Sequence, residues 1–306
     1  MARYLGRRLL QALATIFVVV TVTFIIGRLA GSPSALILGE WATPEQIAAL
    51  DVELGFDRPY LVQYADYLGG LLQGDFGNSY RDRGTSSMAM VMDRLPDSLV
   101  LGAAGLSLGL LMAFAAVLFI HLTRWWPLRS VMLGLGSMRQ SLPDFFFGLL
   151  LVLILSVSLG WLPSLGSGSL QTLIMPALTI ATGQFIVYAR LLDNALLEQG
   201  KHDYVRTALA RGESPRRVVL AETLPNGLLP VMTVAGINLG TFLGGLVIVE
   251  NVFAWPGMGQ LMLTATFSRD FAVVQSGLIM VAVLFVAANL LVDFLYGIVD
   301  PRVRMR

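Results

Sequence analysis

Side chains able to do chemistry are scarce in this chain and crowd into one stretch, Lys201 to Pro230. There Lys201, Arg206, Arg211, Arg216 and Arg217 stand beside Asp203, Glu213 and Glu222, with Arg190 and Glu198 just upstream. Several chemistries are excluded at once. The chain has no cysteine, hence no thiolate nucleophile, thiolate metal site or disulfide. Its two histidines, His121 and His202, lie on different segments, a poor basis for a histidine metal cluster. No GxxxxGK[ST] phosphate loop occurs, so no residue here is expected to hydrolyse ATP, and no cofactor is expected to be bound by this chain. What remains for the charged stretch is either recognition of another protein or an ordinary basic cytosolic loop that follows the positive-inside tendency.

The elements that must position these residues can be read locally. Asp203 can cap a helix running from Tyr204 to Arg211, which the permissive backbone of Gly212 then ends. Ser214 and Pro215 supply a second N-cap and first-turn proline, and the new helix passes through Arg216, Arg217, Val218 and Leu220 towards Leu224. Helix, sharp turn and helix form a polar elbow. Its flanks are apolar.

The whole sequence of 306 residues is 56% hydrophobic and 13% charged, with mean hydropathy +0.72. A soluble domain of this length needs more charge to cover its surface, so the expected class is an all-α polytopic membrane protein. The net charge of +1 gives no ground for a nucleic-acid partner. Apolar runs predict six spans: Leu9 to Leu29, the interval between Asp97 and Arg124, two helices between Asp144 and Arg190 separated by the turn Trp161 to Ser169, Asn226 to Val249, and Phe271 to Val292. The first run exceeds a signal peptide's apolar core and lacks a clean A-x-A site, so it is expected to remain as a helix.

An even count puts both termini on one side. The amino-terminal Arg3, Arg7 and Arg8, the loop with Arg124 and Arg129, the elbow, and the tail Arg302, Arg304 and Arg306 all fall on that side, and basic residues favour the cytoplasm. The opposite side carries residues 31–96, with nine carboxylates against four arginines. Pro44 to Leu54 reads there as an amphipathic helix capped by Thr43, and Pro59 to Leu72 as a second. The expected organisation is a first helix within 1–30, a small helical extracytoplasmic insertion at 31–96, and a five-helix core at 97–306 with the elbow at 198–225.

The elbow resembles the "EAA" cytoplasmic loop of ABC importer permeases: a small-residue triplet, three residues, a glycine, nine residues, an aliphatic position, one residue, then Leu-Pro. Counted from Gly212, the triplet falls on Arg206, Thr207 and Ala208, and the final dipeptide on Leu224 and Pro225. Arg206 and Thr207 depart from the usual Glu and Ala, and Glu222 from the aliphatic position. DYVRTALARG is instead close to the DYVRTARAKG of the peptide and nickel branch. Three further strings resemble that branch in order: LGFDRPYLVQYADYLGGLLQGDFG in the insertion, Glu250-Asn-Val-Phe-Ala-Trp-Pro-Gly-Met-Gly259, and the tail from Leu291 to Arg304.

The resemblance implies a type I importer permease in a bacterial inner membrane. It implies a related second permease subunit, two ATPase subunits that carry ATP and magnesium, and an extracytoplasmic binding protein on the acidic side. Asp203, Tyr204, Arg206, Thr207, Ala208, Arg211, Gly212, Arg216, Arg217, Leu224 and Pro225 would then form the coupling loop, and Glu250, Asn251, Phe253, Pro256 and Gly257 would lie near an outer gate. The cargo stays open between peptides and nickel or other metal chelates.

Other features fit but do not decide. The charged residues of the spans, Arg28, Asp97, Arg190, Asp193, Glu250 and Asp293, fall at or near their ends, which disfavours a stand-alone secondary transporter or channel. Gly236, Gly240, Gly244 and Gly245 form a small-residue face, either within the monomer or against a partner. Pro143 and Pro176 should break or kink the third and fourth spans. Phe253 and Trp255 suit an interfacial anchor. Met175, Met232, Met258, Met262 and Met280 read as packing residues.

Overall fold

The computed structural model describes residues 2–29, 33–39, 41–82 and 84–299. The tail arginines, Gly31, Glu40 and Arg83 lie outside these residues, as do the side chains of Arg3, Arg7, Asp293 and the remaining tail motif, and the surroundings of Gly240. In chain order the helices are α1 (Ala2–Leu29), α2 (Pro33–Leu38), α3 (Pro44–Leu54), α4 (Tyr60–Leu72), α5 (Ser87–Thr123), α6 (Trp126–Ser141) and α7 (Asp144–Leu151), the last continued by a π-wound stretch, Val152–Ser158. Then come α8 (Leu170–Gln199), α9 (Asp203–Ala210), α10 (Pro215–Arg217) with π-wound Val218–Thr223, α11 (Leu224–Val252), α12 (Met258–Phe267) and α13 (Phe271–Val299).

Among the described residues four helices are long and apolar enough to cross a bilayer alone: α1, α5, α8 and α13. Two bent pairs raise the count to six if each crosses once: α6 with α7 and its π-wound extension, and Pro215–Leu228 with Pro230–Asn238, whose bend falls within α11. Two elements extend beyond the sequence reading. The helix of the second span begins at Ser87, well before Asp97, and at 37 residues is about 55 Å long, far more than a hydrocarbon core requires. Residues 126–141, read as loop from their arginines, are helical: α6 alternates exposed Val131, Leu135 and Met138 with buried Met132, Gly136 and Arg139.

The chain divides into two compact units. One comprises residues 1–97 and 256–306, the other 98–255. In the first, α1 lies along α13, where the Gln275 side chain donates to the Thr23 carbonyl at 2.9 Å. Gly27 leaves room for that amide. The insertion is tied to α1 by Phe24 packed on Tyr64 and Tyr67 and by the Thr21–Tyr64 hydroxyl pair at 2.6 Å. Thr43 caps α3 in a full capping box with Gln46, and Gly55 at φ 73° ends it. Burial pushes the Tyr67 phenol up to about 12. Asp270, at the start of α13, accepts from the Ser79 hydroxyl and from the Tyr80 amide at 3.1 Å, which fixes the loop before α5.

In the second unit α8 is the central element. Three glycines allow close approach to it: Gly105 against Ile180, Gly109 against the Ala181 backbone and Gly136 against Ile186. Leu192, Tyr188, Val117, Ile120 and Val231 form one buried cluster. Met175, Ile180, Leu246, Phe253 and Trp255 form the other. The two prolines behave differently. Pro143 stands at a 104° bend between α6 and α7, whereas α8 runs unbroken through Pro176. Gly244 and Gly245 are exposed with open space beside them, so they are not a seam within this unit, while Gly236 is buried. Met175 and Met258 are buried, Met262 packs on Gly277, and Met232 is exposed.

Candidate coupling interface

The elbow is built as two turns of backbone chemistry around a small core. α8 ends at Gln199, and His202, in extended conformation, opens α9. The cap is therefore His202. Asp203, expected to be the cap, is the first helical residue, where its carboxylate still favours the positive end of the helix dipole. After Ala210 the amide of Gly212 bonds the Leu209 carbonyl at 3.0 Å and that of Glu213 the Ala208 carbonyl at 3.2 Å. That closure needs Gly212 at φ 86°, a left-handed backbone that other residues adopt only with strain. Ser214 then accepts from the Arg217 amide at 3.4 Å, with Pro215 in the first turn.

Val205 and Ala208 of α9 are buried against Val218, with Tyr204 packed at the edge. The Tyr204 hydroxyl donates to Gln199 at 2.7 Å, and its ring stacks on His202. Partial burial pushes that phenol above its ordinary value. These contacts fix α9 to the end of α8 and the start of the next helix. The surface ion pairs do little of this: Arg206 with Asp203 at 3.6 Å, and Lys201 with Glu198 at 2.8 Å, are solvated on both sides.

The opposite face of α9 is open. Arg206, Thr207, Leu209 and Ala210 are exposed, with Arg211, Arg216 and Arg217 beside them. The exposed residues thus combine a small apolar pair, Leu209 and Ala210, with four arginines near in sequence. Of the motif residues, Ala208 belongs to the inner core and Leu224 packs on the cluster around Leu196, while Pro225 is exposed in the first turn of α11. The second helix of the elbow does not end before the fifth span. It passes through π-wound Val218–Thr223 directly into the first turns of α11, which then bends by 44° at Pro230.

The elbow is also anchored from behind, through α8. Asp193, buried to 1%, accepts from Arg129 Nε at 2.8 Å and pairs with His121 Nε2 at 3.0 Å. Arg190 donates to Ser137 at 2.5 Å. α6 and α8 are thus joined by charged contacts near the end of α8 that leads into α9. Only Asp193 and Arg190 were singled out from sequence, as residues near span ends. The sequence marks His121 only as one of two dispersed histidines and Arg129 only as a basic loop residue, because their pairing depends on α5 and α6 lying beside α8.

The outer-gate residues take a different form from the one expected. Glu250 is fully buried and accepts from the Ser98 hydroxyl at 2.6 Å. Phe253 and Trp255 are 1% and 4% exposed, members of the core rather than interfacial anchors. Phe253 fills the space left by Gly148, and its carbonyl accepts from the Gly166 amide at 2.9 Å. Ala254, at φ 49°, reverses the chain so that the Trp255 amide reaches back to the Glu250 carbonyl at 2.8 Å. Asn251 bonds its own helix at Val247, and Gly257 opens α12 after Pro256. Arg139 and Asp144, not singled out for any role, form a charged cluster of their own. Its sequence signal is a charge on each side of Pro143.

Comparison with known proteins gives this architecture a family. Residues 85–305 match the sequence model described as binding-protein-dependent transport system inner membrane component, and residues 1–102 match its N-terminal companion. The chain is 35% identical to the oligopeptide transport system permease protein AppB of Bacillus subtilis (strain 168), covering 99% of both sequences. It is 36% identical to the glutathione transport system permease protein GsiC of Salmonella choleraesuis (strain SC-B67), over 100% of both. The fold is similar to a chain of the MetNI methionine ABC transporter in an inward-facing conformation, with TM-score 0.59 and 20% identity over 70% of this chain and 97% of that one. An all-helical membrane chain with a helix–turn–helix elbow, matched end to end by these relatives, belongs to the binding-protein-dependent transport system inner membrane components, the permease subunits of ABC importers.

Proposed function

We propose that this chain is one of two related permease subunits of an importer for di- and oligopeptides, and that α9 is the surface an ATPase subunit grips. The observation carrying this reading is the two-sidedness of α9. Val205 and Ala208 are sunk into the elbow, while Arg206, Thr207, Leu209 and Ala210 present a short convex face. A helix of that kind docks by inserting its apolar centre into a groove, with the surrounding charges setting register. Asp203, Tyr204, Gly212 and Leu224 hold the helix at its angle, and Arg211, Arg216 and Arg217 complete the rim.

ATP and magnesium belong to the partner ATPases. Closing them draws the paired α9 helices together, and α8, packed against the elbow at its end, and α11, entered from it, carry the movement into the spans. A binding protein delivers cargo to the acidic insertion on the outer side, and the termini are cytoplasmic. The peptide assignment follows the oligopeptide and glutathione permeases to which the chain is similar over its whole length.

Reconstitution with partner permease, ATPases and binding protein tests the reading. Peptide uptake is expected to require both ATP and the binding protein, and uptake indifferent to either overturns it. Gly212→Pro and Arg206→Glu are expected to insert normally and lose at least about tenfold in ATPase association, the scale of one buried charged or backbone contact. Unchanged complex formation by both variants removes the role given to α9.

A further inference from the structure

The bend between α6 and α7 places a charged pair against the middle of a membrane span. Arg139, at the end of α6 and 9% exposed, uses its whole guanidinium. Nε donates to Thr182 Oγ1 at 2.9 Å, one terminal nitrogen to the Leu142 carbonyl at 3.2 Å, and the other to the Thr179 carbonyl at 2.8 Å and to Asp144 Oδ1 at 2.7 Å. The Phe147 ring covers it at 4.1 Å. The arginine thus satisfies a carbonyl freed by the break at Pro143 and holds the bend to α8. Arg139 is spent on structure. Asp144 is not.

The depth of Asp144 follows from its neighbours. Its Oδ1 lies beside Gly183. The uncharged part of α8 runs from Leu170 to Ala189, so Thr179 to Gly183 is its middle, about 15–20 Å along the helix from Leu170. The hydrocarbon core is about 30 Å thick, which puts the pair near the midplane. Yet the Asp144 side chain is 56% exposed. A carboxylate cannot face acyl chains at that depth, and a broken helix is tolerated there only where it is buried in protein or lines water. An ionised carboxylate has about four acceptor positions, and the arginine occupies one.

We propose that Asp144 lines the aqueous translocation path at mid-depth and accepts a hydrogen bond from a protonated amine of the passing cargo, with Arg139 positioning it. This deepens the importer reading and rests on it for the cargo, since peptides carry such an amine. The sequence reading placed Asp144 at the edge of its span, and the bend is what moves it to the centre. The neutral Arg139–Asp144 pair suits passage: it offers one directional acceptor and no strong uncompensated charge that would trap a cation.

Two experiments on the assembled complex in proteoliposomes test this. The chain lacks cysteine, so Asp144→Cys provides its single thiol, with cysteines of the other subunits replaced. A membrane-impermeant, positively charged methanethiosulfonate is expected to modify it, and excess peptide with binding protein to slow the reaction. No modification in either the ATP-bound or the nucleotide-free state overturns the proposal. So does oxidative cross-linking of that thiol to the partner permease without aqueous reactivity, which makes the pair a subunit contact.

Asp144→Asn is expected to raise the peptide concentration for half-maximal uptake about tenfold, the weight of one charge-assisted bond. The peptide affinity of the isolated binding protein should stay unchanged, and Asp144→Glu should restore uptake. An uptake curve identical to the parent overturns the proposal, as does a loss that Glu fails to restore. Failure of the importer reading is separable: the parent complex would then take up no peptide with ATP, whereas the thiol reaction still reports whether water reaches residue 144.

Discussion

Asp193 shows how burial ranks the charges around the elbow. Its carboxylate is sealed between His121 and Arg129, whereas Lys201 and Glu198, a few residues further along the chain, form an equally short pair in solvent. The exposed pair is screened and pays side-chain entropy, so it contributes little. The buried one contributes through the cost of breaking it. Asp193→Asn is expected to destabilise the protein by about 3 kcal/mol, because it leaves a guanidinium and an imidazole facing a group that no longer balances them. Thermal unfolding in detergent checks this, with Lys201→Ala as comparison. Equal melting temperatures for both variants would show that Asp193 is not buried as described.

Among elements, α8 decides the packing of the second unit, and glycine decides how near its neighbours come. A Cβ on Gly109 would lie 2.8 Å from the Ala181 carbonyl oxygen, a backbone atom that cannot swing away. Gly134, on the outer side of α6, has nothing within 4 Å. Gly109→Ala is therefore expected to cost about 1–3 kcal/mol by forcing α5 from α8, while Gly134→Ala is neutral or slightly stabilising through helix propensity. Denaturation of the purified subunit measures the difference, and similar shifts for both glycines would contradict the close approach. The π-wound stretches belong to the same scale. Each follows an ordinary helical segment without a break; the one beyond α7 ends its helix at Ser158, and the one where the elbow joins α11 shifts the register of the helix that continues into it.

For the whole molecule the deciding quantity is which side each polar segment occupies. The proposed orientation rests on the basic residues of the elbow and the excess of carboxylates in the insertion, which favour a cytoplasmic elbow and an extracytoplasmic insertion. Trp41, almost fully exposed in the insertion, and Ala210, exposed on α9, are suitable reporters. In intact cells an impermeant maleimide is expected to label Trp41→Cys, and to label Ala210→Cys only after permeabilisation. The reverse pattern inverts the molecule and removes the ATPase from α9.

The sequence by itself determined the membrane class, the elbow with its Gly212 closure and Ser214–Pro215 restart, and the capped helix at Thr43. Each of these rests on hydrophobic length or on caps and turns, which depend on residues only a few positions apart. It could not reveal that residues 126–141 form a helix, because Arg129 and Arg139 read as loop until Asp193 and Thr182 are brought within reach. The fate of Phe253 and Trp255 was equally hidden: an aromatic pair beside a turn has the same local pattern whether it meets lipid headgroups or Gly148 and Met175. Only the tertiary structure decided that Pro143 bends its span while Pro176 does not, and that the bend carries Arg139 and Asp144 to the centre of α8. The physical reason is that caps and hydropathy are properties of short segments, whereas the burial of a charge depends on what the rest of the chain packs against it.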